Sequence, residues 1–252
     1  VWEPLKGKEV VAMRLKDRVA VITGVSGEGQ VGQAVAQAFA REGAKLVLVA
    51  RRAEAVNARA EEVRALGAEV LAIAADLTVE SEVQRVVQQA LERFGRIDIL
   101  VNLAGGLTRY KGVTEHTLED WNSELNNNLL TAFLCSRAVF EPMKAAGGGR
   151  IINFARAGDP QAKMVAYNCA KAGVAALTRT FALEGRKHNI RVNAVAPGIV
   201  DTKSNVEAMQ PKPEDLARWT KREEIAATVV FLASDESSGI TGQVIPVTGR
   251  LL

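Results

Sequence analysis

The reading of this chain turns on Thr23-Gly24-Val25-Ser26-Gly27-Glu28-Gly29-Gln30-Val31-Gly32. An apolar run, Arg18 to Thr23, precedes it, and from Val31 to Glu42 apolar residues recur at helical spacing. A strand that passes through a glycine-rich turn into a helix lets backbone approach a pyrophosphate, whose charge the helix N-terminus stabilises. Glycines alone are a weak signal. The strand before and the helix after give the turn its meaning.

Working outward, short apolar runs alternate with longer helical patterns. Strands are expected at Lys45 to Ala50, Glu69 to Ala74, Ile97 to Asn102, Arg150 to Phe154, Arg191 to Ala196 and Gln243 to Val247. Helices are expected up to about Leu66, then over Glu80 to Phe94, Leu118 to Lys144, Val165 to Gly185 and Glu223 to Ser234. Alternation of this kind predicts an α/β fold, a doubly wound parallel sheet covered on both faces. No linker or repeat divides the chain, so one domain is expected over residues 13–252. Residues 1–12 (VWEPLKGKEVVA) lack periodicity and precede Met13. They are read as an added extension and, having no apolar h-region, not as a signal peptide.

Composition narrows the class. The chain has 252 residues, 48% hydrophobic and 24% charged, with a net charge of +3. Its Lys and Arg are dispersed, without the basic stripe of a nucleic-acid binder. No apolar run is long enough to span a bilayer. Cys135 and Cys169 both fall in apolar helical patterns and read as buried free thiols, which suits a reducing, cytoplasmic setting. His116 and His188 have no His or Cys at ligand spacing, so no metal site is expected.

The end of the second strand bears on the cofactor. NAD sites place an acid there for the ribose 2′-hydroxyl, but this chain reads Val49-Ala50-Arg51-Arg52. An arginine there suits the 2′-phosphate of NADP. The other reading of the pair is a solvated opening to a surface helix. Asp76, after the third strand, is placed either to meet the adenine or to cap a helix.

Several further segments, in order, carry a resemblance. Gly95-Arg-Ile-Asp-Ile-Leu-Val-Asn102-Leu-Ala-Gly105, Tyr167-x-x-x-Lys171, Val192-Asn-Ala-Val-Ala-Pro-Gly198-x-x-x-Thr202 and Phe231-Leu-Ala-Ser-Asp-Glu are similar to the short-chain dehydrogenase/reductase family, from about Met13 to Val247. The resemblance implies a Rossmann fold and a nicotinamide cofactor, with NADP(H) preferred over NAD(H) on the strength of Arg51 and Arg52. It implies that Gly24, Ser26, Gln30, Val31 and Gly32 form the phosphate turn, with Asp76 and Leu77 near the adenine. Asn102, Ala104 and Gly105 would steady the sheet and the adenosine side, while Pro197, Gly198, Val200 and Thr202 would hold the carboxamide. Tyr167 would be the general acid/base, Lys171 would hold the ribose and lower the tyrosine pKa, and Asn128 would order a proton-relay water.

This sequence departs from the family pattern in three places. The glycine turn is two residues longer than Thr-Gly-x-x-x-Gly-x-Gly and closer to the enoyl-reductase form Gly-x₅-Ser-x-Ala, with Gln30 and Gly32 at its last two positions. The family's catalytic serine aligns to Arg156, and residues 151–166 hold no Ser or Thr. The stretch between Thr202 and Glu223 lacks the usual lid segment. The leading expectation is an NADP(H)-dependent oxidoreductase acting on a 3-oxoacyl thioester or general ketone, with Arg156 a candidate substrate contact. One alternative is an enoyl-thioester reductase, and another is a non-catalytic NADP(H)-binding sensor or subunit. The resemblance also implies a homotetramer paired through Leu118 to Lys144 and Val165 to Gly185, whose apolar residues include Phe133, Leu134, Val139, Phe140, Val174, Leu177 and Phe181.

Overall fold

A computed structural model describes residues 13–250, so the expectation for residues 1–12 lies outside the described residues. Seven strands form one parallel sheet in the order β3-β2-β1-β4-β5-β6-β7. They are β1 (Val19–Thr23), β2 (Lys45–Ala50), β3 (Val70–Ala74), β4 (Ile99–Asn102), β5 (Gly149–Phe154), β6 (Ile190–Pro197) and β7 (Val244–Val247). The order reverses between β1 and β4, and at such a switch point a crevice opens beyond the C-terminal strand ends.

Period-two alternation sorts the strand residues onto two faces. Ile22, Leu48, Ile99 and Ile152 pack with α1 (Val31–Arg41), α2 (Ala53–Arg64) and α9 (Arg222–Ala233). Val21, Val47, Leu100 and Ile151 pack with α3 (Glu80–Phe94), α5 (Thr131–Ala145) and α6 (Val165–Gly185). Side chains as large as Phe39, Leu48 and Ile99 are fully buried, each contributing about 1.5–3 kcal/mol by leaving water.

The elements agree with the sequence reading except in two stretches. The expected single helix from Leu118 is three pieces: α4 (Leu118–Leu125), a π-turn (Asn126–Leu130) and α5. In the π-turn the Thr131 N–H donates to the Asn126 carbonyl five residues back. The unassigned stretch after Thr202 holds two short helices, α7 (Lys203–Met209) and α8 (Pro213–Leu216). Among the described residues, no helix is long and apolar enough to cross a membrane.

One other expectation changes. Cys135 is buried, but Cys169 is exposed on α6. Of the seven apolar residues expected at an intersubunit face, three are buried within the chain and four, Phe133, Phe140, Leu177 and Phe181, are half-buried. Leu134, Val139 and Val174 are buried, and Phe133 and Phe140 both pack edge-on against Phe181.

Candidate functional site: a cleft at the switch point

The turn after β1 is built from backbone contact. Gly24 sits at φ +74°, and a Cβ there would lie 2.8 Å from the Ala104 nitrogen. The Thr23 hydroxyl accepts from the N–H groups of Leu103 and Ala104, both at 3.0 Å, joining the ends of β1 and β4. Gly32 lets α1 press onto the turn, since a Cβ there would lie 2.7 Å from the Gly24 carbonyl oxygen.

One cleft is lined by Gly24, Ser26, Ala50, Arg51, Asp76, Leu77, Ala104 and Gly105. Most of the adenosine-side expectations therefore meet in one place. The cleft also takes in Thr78, Thr108, Asn127 and Thr131, which the sequence reading passed over. Asp76 caps no helix. Its Oδ1 accepts from the backbone N–H and hydroxyl of Thr78, which holds the carboxyl below the usual range. Glycine-rich backbone at a helix start, with Arg51 at the end of β2, fits a dinucleotide.

Other expected cofactor residues do not line this cleft. Arg52 is exposed and precedes α2. Asn102 is buried in the sheet, where its Nδ2 donates to Asn153 Oδ1 at 2.8 Å and Ser136 Oγ at 3.0 Å. Its role is a cross-link between sheet and α5. Gln30, Val31 and Gly32 form the start of α1. Pro197 ends β6, and Gly198 donates its N–H to Val247 O. Val200 is buried, and Thr202 caps α7 by accepting from Asn205 N. This segment still reaches the glycine turn, because Lys203 N donates to Gly29 O at 2.9 Å and Ser204 Oγ to Gln30 Oε1 at 3.2 Å.

The catalytic expectations converge from α6 and the π-turn. Lys171 is buried, and its Nζ donates to the Phe154 carbonyl at 2.9 Å. The same Nζ lies 5.6 Å from the centre of the Tyr167 ring, one helical turn back. Burial pulls the Lys171 pKa down to about 8, against an opposing pull from the Glu124 carboxylate. The Tyr167 phenol is pushed up from the ordinary tyrosine range. Burial is the main cause, the Arg156 guanidinium opposes it, and Glu124 adds to it. Arg156 is half-buried, and its Nη1 donates to the Asp159 carbonyl at 2.6 Å. It folds its own loop and projects positive charge toward Tyr167.

Facing this pair is a zipper of which the sequence reading named only Asn128. Asp120, Glu124 and Asn128 recur every four residues along one face of α4 and the π-turn. Asp120 accepts from Arg109 Nε at 2.8 Å and Lys111 Nζ at 2.7 Å. Glu124 Oε1 accepts from Thr108 N, Thr108 Oγ1 and Arg109 N at 2.6, 2.8 and 2.7 Å. Asn128 accepts from Gly106 N at 2.9 Å and donates to Gly106 O and Glu124 Oε2. The spacing of three polar residues at four-residue intervals was the available signal.

A switch-point cleft beside a Tyr-x-x-x-Lys pair is the geometry in which the comparisons take meaning. Residues 24–249 match the protein family described as enoyl-(acyl carrier protein) reductase. The chain is 36% identical over 252 residues to the 3-oxoacyl-acyl-carrier-protein reductase of Thermotoga maritima, covering 95% of this chain and 100% of that protein. This chain belongs to the short-chain dehydrogenase/reductase family. A second relative of this dehydrogenase/reductase, the 3-oxoacyl-acyl-carrier-protein reductase of Synechocystis, is 39% identical over 249 residues, or 94% of this chain and 98% of that one. Among solved structures, a 7α-hydroxysteroid dehydrogenase complexed with NADH and 7-oxo glycochenodeoxycholic acid superposes with a TM-score of 0.86 at 31% identity, covering 94% of this chain and 95% of the other.

Proposed function

We propose that this short-chain dehydrogenase/reductase moves a hydride between NADP(H) and a carbonyl/alcohol pair, with 3-oxoacyl thioesters and ketones as its substrate class. The observation that carries the reaction is the half-buried Tyr167 phenol, held protonated one turn from buried Lys171. A phenol kept neutral is a proton donor. In reduction it would give its proton to the carbonyl oxygen as negative charge develops there. The nicotinamide supplies the hydride when bound. Lys171 would hold the ribose, Asn128 would fix the backbone beside the pair, and Gly24, Ser26, Asp76, Leu77, Ala104 and Gly105 would line the adenosine side.

Arg51 supports the phosphorylated cofactor. It lines the cleft at the end of β2, where Ala50 stands in place of an acid, and the acid the cleft does hold, Asp76, is engaged by Thr78. The related steroid dehydrogenase, by contrast, is complexed with NADH. The reading includes a cytoplasmic homotetramer, which rests on family resemblance.

A second reading, reduction of an enoyl thioester, is favoured by one feature. Residues 151–166 offer no hydroxyl to polarise a carbonyl, and Arg156 stands at the aligned position. NADPH oxidation against ketone, 3-oxoacyl and enoyl-thioester substrates separates the two. The expected outcome is turnover of a ketone or 3-oxoacyl substrate, with Tyr167→Phe lowering kcat by about 10²–10⁴-fold and leaving the NADPH dissociation constant in place. Turnover of the enoyl thioester alone selects the second reading. Full activity in Tyr167→Phe sinks both, and no turnover of any substrate leaves only a cofactor-binding protein.

A further inference from the structure

Glu124 is a carboxylate with no exposed surface in a helix that packs on α6. A buried acid carries a large desolvation cost unless donors surround it. Four donors do: the N–H groups of Thr108 and Arg109, the Thr108 hydroxyl and the Asn128 side-chain amide. The cationic ends of the same loop are engaged elsewhere, Arg109 Nε and Lys111 Nζ both lying on Asp120 one turn earlier. The positive groups on the other side are Lys171 of α6 and Arg156 beyond β5. Glu124 is therefore ringed by neutral hydrogen-bond donors rather than held in a direct ion pair. Its charge reaches both members of the Tyr167–Lys171 pair, opposing ionisation of Tyr167 and favouring the ammonium of Lys171.

We propose that Glu124 is a positioning residue for the Tyr167–Lys171 pair, clamping the segment 106–109 to Asn128 and keeping a fixed negative charge behind the phenol. The inference rests on the hydride-transfer reading above. The clamp acts through geometry. A Cβ on Gly105 would lie 2.6 Å from Asn128 Oδ1, so Glu124, Asn128 and the loop lining the cleft form one packed unit. The charge acts on the proton. A neighbouring carboxylate opposes ionisation of a phenol, which holds Tyr167 back as the base for alcohol oxidation.

The chain's composition supplies a direct test, since Tyr110 and Tyr167 are its only tyrosines. In a Tyr110→Phe background, tyrosinate absorbance reports Tyr167 alone. Glu124→Gln keeps the volume and removes the charge. Its Tyr167 titration midpoint is expected to fall by about one pH unit, and the acid limb of alcohol oxidation should move the same way by the same amount. Glu124→Asp keeps the charge but shortens the clamp. It should hold the midpoint and raise KM, and should Glu124→Gln not fold, the Asp form decides by its KM. An unmoved midpoint in Glu124→Gln, or unchanged kcat and KM in Glu124→Asp, overturns the proposal. An inactive parent protein refutes the hydride-transfer reading instead, and the tyrosinate titration still reports the charge. An active parent with an unmoved midpoint refutes the role of Glu124 alone.

Discussion

The turn after β1 and the loop after β4 leave neighbouring strands and border the same cleft, yet they are held by opposite means. The first, residues 24–32, is a matter of backbone lying on backbone, with Gly24 and Gly32 excluding any Cβ. The second, residues 106–111, hangs from side chains: Asp120, Glu124 and Asn128 take up its N–H, hydroxyl and cationic groups. A cradle of backbone is indifferent to pH but intolerant of added atoms. A loop held by carboxylates tolerates volume better and answers to charge. Asp120, ringed by Lys111, Thr117 and Arg109, stays ionised well below the usual carboxylate range, so its hold on the loop persists as pH falls and is lost only in strong acid.

The sharpest way to break this contrast is Gly24→Val. The new side chain meets the Ala104 nitrogen and forces a positive φ on a branched residue. Cofactor affinity should fall by about 10²-fold or more, several kcal/mol of strain and lost approach. Calorimetric titration with NADPH checks it, and a normal dissociation constant would show that the glycine is not what the turn needs. Arg51→Ala probes a charge at the rim of the same cradle. Loss of a charge-assisted pair should weaken NADPH by about 10- to 100-fold and leave NADH nearly unchanged. Equal affinities for the two cofactors in the unmodified protein would remove the basis for NADP.

The smallest effect belongs to the charge-sensitive side. Arg156 lowers the Tyr167 pKa while Glu124 raises it, so Arg156→Ala should move the tyrosinate midpoint upward, opposite to Glu124→Gln. A fraction of a pH unit is expected, because Arg156 is only half-buried and water screens it. A downward shift would mean that its loop, stapled through the Asp159 carbonyl, matters to Tyr167 more than its charge does.

What could be read from sequence follows the same division. Helix α3 is legible to the residue, because its apolar stripe is regular and Gly95 stops it at φ +76°. The start of α4 is legible too, where Thr117 and Asp120 form a capping box. Backbone features such as the glycine turn announce themselves by residue type. The π-turn does not, because Asn126-Asn127-Asn128-Leu129-Leu130 continues a pattern that an α-helix would also satisfy. Helices α7 and α8 are too short to show a stripe. Glu124 shares a four-residue spacing with Asp120 and Asn128, but nothing local says that a loop from another strand will cover it. Cys169 failed for the same reason, its helix face being left uncovered by the chain itself.

The π-turn also sets a phase. One residue in an α-helix is worth about 100° of rotation, and the wider turn at Asn126–Leu130 fixes how α4 is rotated relative to α5. Deleting a single asparagine there would let one continuous α-helix form while swinging Asp120 and Glu124 about a quarter-turn away from the loop. The three consecutive asparagines thus act as a spacer, and their number, more than their chemistry, keeps an acidic face of one helix in register with a strand exit far away in sequence.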